Sequence, residues 1–292
     1  MTKTGSTQLY EVLIDEQNFE MTTDTLDKVM NTTFKNSPTN SMYYEYIRFI
    51  SEKKKEVGVL NEAIAKDSVK QEKTPELKKQ IQEINKEVKA FQLKMLENKS
   101  DNWAAKLVGM SIPLEIPEAP TDENGVITDS LFQYNWYIKH YWDNIPLDDP
   151  KIVRTPEYDH KLDEYMNKAL IQVPDTLNKY ADELLEKVAH DPDLFKFTLH
   201  YMTYNFEKTK IMGLDAGFVH IVDKYYATGQ AVWLDSTSLA NIVDKAARLK
   251  PLLLGKPAPP MYLRDRGGEK VVPLYGVEAD YTVIYIWSPD CG

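Results

Sequence analysis

The chain has one cysteine in 292 residues, Cys291, so no internal disulfide can form. No apolar run approaches the roughly 18–20 residues of a membrane span, and the opening MTKTGSTQLYEVLIDEQ holds no apolar stretch of signal-peptide length. Gly-x-Gly-x-x-Gly, phosphate-loop, Gly-x-Ser-x-Gly and His-Glu-x-x-His patterns are missing. Basic residues are in deficit, 35 Lys+Arg against 45 Asp+Glu, and a net charge of −10 argues against broad nucleic-acid binding, which needs basic faces to meet phosphate. Histidine is scarce. His220 stands three residues before Asp223, a spacing that can serve a metal, but no second such pair and no cysteine accompany it. It reads as a hydrogen-bonded helix histidine, and no metal or cofactor is expected.

What is present suits a folded protein: 42% hydrophobic and 27% charged residues supply a core and a solvated surface. The charge is uneven. Residues 51–100 carry 12 Lys and 9 Asp+Glu, leaving the rest of the chain at −13, and interleaved Lys and Glu mark a solvated helix surface. Residues 8–22, QLYEVLIDEQNFEMT, predict two short strands around a polar turn, with a third at 30–35 and a break at Lys35–Pro38. From Asn40 the period turns helical. A second helix begins at Thr74-Pro75 and runs to about Asn98, with Leu77, Ile81, Ile84, Val88, Phe91 and Met95 spaced 4-3-4-3-4. Two such helices joined by a polar turn predict an antiparallel hairpin, either a structural spacer or an arm that makes a homodimer through 40–98.

Residues 111–126 are proline-rich and predict a linker. Helices are then expected from Asp129 or Ser130 to about Trp142 and near 157–170, 174–188, 192–206, 213–227 and 236–248, an antiparallel all-α arrangement. Residues 131–142 carry Phe132, Tyr134, Trp136, Tyr137, Tyr141 and Trp142. Such a run is either core with polar tips at the surface or a ligand groove, and a groove would leave Trp136 or Trp233 open to solvent. After Gly255 two short strands are expected, MYL and KVVPL, around the turn at 264–268. YTVIYIW follows, apolar on both faces like the central strand of a parallel sheet. A cysteine just past such a strand sits at a helix N-terminus, where the dipole favours thiolate, and a second cysteine two residues onward allows dithiol–disulfide exchange.

The segment Gly255-Lys-Pro-Ala-Pro259 … Asp265 … Gly268 … Leu274 … Tyr281-Thr-Val-Ile-Tyr-Ile-Trp287-Ser-Pro289-Asp-Cys291-Gly292 resembles the opening of TlpA/ResA-like thiol-disulfide oxidoreductases, which have a thioredoxin fold and a Trp-x-x-x-Cys-x-x-Cys active site. The resemblance places Cys291 at the nucleophile, flanked by Trp287 and Pro289, with the partner cysteine absent. It implies that the preceding helices, including HYWDNIPLDDPKIVRTPEYDHKLDEYMNKAL, form a domain of unknown function between an N-terminal β-domain and the redox module. The expected architecture is mainly α, in four parts: a β-domain remnant at 1–36, the hairpin at 37–110, the helical domain at 111–254 and a truncated thioredoxin-like start at 255–292. The family implies a bacterial envelope or periplasmic location, protein thiols or disulfides as partners, and membrane attachment only through a lipid anchor outside this chain. The expected function is therefore an accessory helical region of such an oxidoreductase, itself inactive. The alternative is a non-enzymatic helical scaffold that binds a peptide or partner.

Overall fold

The computed structural model describes residues 10–24, 26–67, 73–98, 101–264, 267–285 and 288. The fold is mainly α, 57% helical, with small β pieces, as expected. The chain divides into two compact units, Met1–Tyr165 and Met166–Gly292.

In the first unit, β1 (Glu20–Thr22) pairs antiparallel with β2 (Thr33–Lys35), Met21 opposite Phe34. The further strand expected within 8–22 does not form in the described part of that stretch, and the reason lies in a side chain. Asn40 is fully buried; its Oδ1 accepts from Leu13 N at 2.8 Å and its Nδ2 donates to Leu13 O at 2.7 Å. Tyr44 donates to Glu11 O at 3.1 Å. The backbone of 11–13 is thus satisfied by a helix rather than by a neighbouring strand.

That helix is α1 (Pro38–Lys66). Asn36 turns the chain with a φ of 63°, Ser37 caps, and Pro38 fills the first turn. Glu16 adds a carboxylate at the same end, accepting from Thr39 N at 2.9 Å and from Ser37 Oγ at 2.6 Å. Asp67 ends α1 and accepts from Thr74 N at 2.9 Å at the start of α2 (Thr74–Asn98). Phe49 stacks on Phe91 at 4.1 Å and Lys53 pairs with Glu87 at 2.7 Å. The partners' numbers run in opposite directions, so α1 and α2 form the antiparallel hairpin. α3 (Trp103–Met110), all buried but Lys106, packs against both arms. α4 (Phe132–His140), begun by Asp129, and α5 (Pro156–Glu164) complete the unit. Between them Tyr141, Trp142, Tyr158 and Tyr165 form an aromatic core, with Trp142 and Tyr165 ring centres 5.0 Å apart.

The expected helix near 157–170 is α5 continued by a π-helical turn, Tyr165–Ala169. In the second unit α6 (Pro174–Val188), α7 (Pro192–Glu207), α8 (Asp215–Ile221) and α9 (Ser236–Leu249) follow, with a second π-helical turn, Val222–Tyr226, extending α8. Gly217 lets α8 approach α7, because a Cβ there would stand 2.4 Å from the Phe206 ring. β3 (Tyr262–Arg264) and β4 (Val271–Pro273) form the expected hairpin. Residues 281–285 carry no strand, and Tyr281 and Val283 are about nine-tenths exposed (91% and 90%). A central strand is held by neighbours on both edges, and none pairs with these residues.

Candidate functional site: a groove between two helices

The sequence of α7 places His200, Thr203, Tyr204 and Glu207 at i, i+3, i+4 and i+7, hence along one face. The opposite side of the same helix sends Leu194, Leu199, Met202 and Phe206 into the core. On α9, Asn241, Ile242 and Lys245 share a face in the same way. Both helices pack around α8 and its π turn, and an open cavity of about 380 Å³ lies between their polar faces. Its floor is Phe218 and Tyr226; Trp233 and Leu234, from the loop before α9, close one part of the wall.

Each wall residue is held from behind. Thr203 donates to Leu199 O at 2.7 Å, so its hydroxyl accepts from Tyr226 OH at 2.9 Å. Burial pushes the Tyr226 phenol up, keeping it a donor. Trp233 is half-buried, packed edge-on to Phe195 at 6.1 Å with Lys196 Nζ 5.9 Å over its ring. Glu207 and Lys245 form an ion pair across the groove, and this hydrogen bond holds the Glu207 carboxyl below its usual range. Tyr204 is 56% exposed and offers an open aromatic face.

The π turn sets this geometry. Its extra residue swings Tyr225 toward α6 while Tyr226 faces α7. Asp182 on α6 accepts from Tyr225 OH and Lys224 Nζ, both at 2.8 Å, and lies 3.0 Å from His220 Nε2. Burial raises the Asp182 carboxyl, but hydrogen bonds from Lys224, His220 and Tyr225 outweigh it and hold the group below its usual value. Burial and Asp182 together push the Tyr225 phenol up. The cluster is a clamp that fixes the floor of the groove.

The residues singled out from sequence fare differently. Cys291, Trp287 and Pro289 lie outside the described residues. His220 and Asp223 do not converge: His220 turns to Asp182, while Asp223 pairs with Lys250 at 2.7 Å. In the 131–142 run, Tyr141 and Trp142 are core, whereas Trp136 is half-buried and stacked on His140 at 4.3 Å. Trp233 lines the groove. The α7 stripe was open to sequence reasoning as a period-3.6 row containing His and Tyr, but a polar row looks the same whether it faces bulk water or a cleft.

The fold and groove define a helical protein with an aromatic-walled binding surface. Residues 65–249, α2 through α9, match the model of a domain of unknown function (DUF5106), and the chain belongs to that family. No curated protein and no solved structure matches the chain.

Proposed function

We propose that this chain is the helical accessory region of a TlpA-like thiol-disulfide oxidoreductase of the bacterial envelope, and that its helices hold a segment of a partner protein. The observation that carries the recognition role is the groove between α7 and α9. It offers aromatic surface at Tyr204, Phe218 and Trp233 beside polar groups at His200, Asn241 and the Glu207–Lys245 pair. Apolar walls with a few polar groups fit a peptide, whose side chains need burial and whose backbone needs hydrogen bonds. The redox part of the proposal rests on the resemblance of residues 255–292. Held in the groove, a partner would be presented to the thiol chemistry of the module that begins there.

The test uses a carboxymethylated, permanently unfolded ribonuclease as the partner probe. Saturable binding is expected, weakened at least tenfold by Trp233→Ala and by Tyr204→Ala. Equal binding by the variants refutes the groove as the recognition surface. The redox part is tested by whether Cys291 forms a mixed disulfide with a cysteine-bearing version of that probe, faster than a free thiol does; an equal rate refutes it. With one cysteine, the chain turns over no dithiol in an insulin-reduction assay.

A further inference from the structure

A second surface, independent of the groove on α7 and α9, lies on the helical hairpin. Toward its tip the arms of α1 and α2 leave a cavity of about 580 Å³. Its floor is apolar: Val59, 67% exposed, with Leu60 from α1 and Ile84 from α2. Its rim is acidic: Glu56 on one arm and Glu76, Glu83 and Glu87 on the other, with Lys79 as the cation of the lining. On α2 the lining recurs from Glu76 to Glu87, about 16 Å of helix or three turns. The Phe49–Phe91 stack and Lys53, which bridges Glu56 and Glu87 at 3.2 and 2.7 Å, bound the groove on the side away from the tip.

We propose that this face docks a cationic amphipathic helix of another protein, its apolar residues on Val59, Leu60 and Ile84 and its Lys or Arg residues against the glutamate rim. A second copy of this chain is the wrong occupant. A two-fold interface sets the same patch against itself, so four glutamates would face four. The rim selects a partner of opposite sign, and the three-turn length selects a short helix.

The experiment is fluorescence anisotropy with the full chain and a labelled 18-residue Leu/Lys peptide whose leucines fall at i, i+3, i+4 and i+7. A scrambled peptide of the same composition is the control. The expected result is saturable 1:1 binding, at least tenfold tighter than the scrambled control. Glu76→Lys with Glu83→Lys should weaken it at least tenfold. Val59→Asp should also weaken it although it adds negative charge, because it removes the apolar floor. All three side chains are exposed, so the variants should keep the wild-type circular dichroism. Equal binding of the scrambled peptide, or unchanged binding by Val59→Asp, would mean charge alone and would overturn the proposal. So would no binding, or sedimentation of the wild type as a dimer that Val59→Asp dissociates.

Discussion

Gly217→Ala sets two effects of opposite sign against each other. Gly217 lies inside α8, where alanine is the better helix former by about 0.8–1.0 kcal/mol. If local propensity ruled, the variant would be more stable. A Cβ at this position, however, stands 2.4, 2.5 and 2.8 Å from three carbons of the Phe206 ring. Carbon atoms pack at about 3.5–4.0 Å, so the ring or the helix must retreat by roughly 1 Å. Phe206 is 2% exposed and held between α7 and α8, so it has no free volume to enter. Overpacking of this kind costs about 1–3 kcal/mol, and a fixed ring belongs at the upper end. Subtracting the propensity gain leaves a net loss of about 2 kcal/mol. Urea unfolding followed by circular dichroism should show a lower midpoint. In a double-mutant cycle with Phe206→Leu, which shortens the side chain, part of the loss should be recovered as coupling of about 1–2 kcal/mol. A variant more stable than wild type by about 1 kcal/mol would refute the argument, because propensity would then have won. The same displacement moves Phe218, the next residue of the groove floor, so partner binding should weaken with stability.

Two further outcomes follow from buried polar groups. Asn40→Ala strands the Leu13 N–H and C=O that the amide now satisfies, and should lower stability by about 3 kcal/mol in urea titration; a loss under about 1 kcal/mol would mean that water reaches Leu13. Asp182 has a folded pKa below its ordinary value of about 3.9, so its contribution is present above that value and is lost as pH falls through the lower, folded one. The gap in urea midpoint between wild type and Asp182→Asn should therefore be full at pH 7 and close below about pH 4; a gap constant down to pH 2.5 would show that the clamp is not ionic.

The hairpin and the α6 to α9 helices were legible because their signals are local. The 4-3-4-3-4 spacing of α2 and the Pro174, Asp191-Pro192 and Asp235 starts each act within a turn or two. What the sequence hid depends on partners far along the chain. Residues 10–15 carry the alternation of a strand, yet their backbone is bonded by Asn40 and Tyr44, 27 and 33 positions away. No strand pattern announces that a helix side chain will take the place of a ladder. The π turn at Val222–Tyr226 is hidden for the same reason: the residues around it read as one continuous helix. Its extra residue is fixed by Asp182 pulling Tyr225 one way and Thr203 pulling Tyr226 the other.

The groove inherits that non-locality. His200, Thr203, Tyr204 and Glu207 form a row any reader can count, but the row becomes a wall only because α9 stands across from it. α9 stands there because the α8–π segment, thinned at Gly217 and clamped at Asp182, packs between the two. Residues that make the site are thus exposed and chemically ordinary, while residues that shape it are buried and specific. A substitution at Gly217 or Asp182 should therefore disturb binding without touching the partner. A substitution at Trp233 should disturb binding with little change in fold, since its ring is only half-buried. Comparing stability with affinity across these three positions separates the scaffold from the surface: loss of affinity at Trp233 alone, at wild-type stability, is the signature of a recognition groove rather than of a core defect.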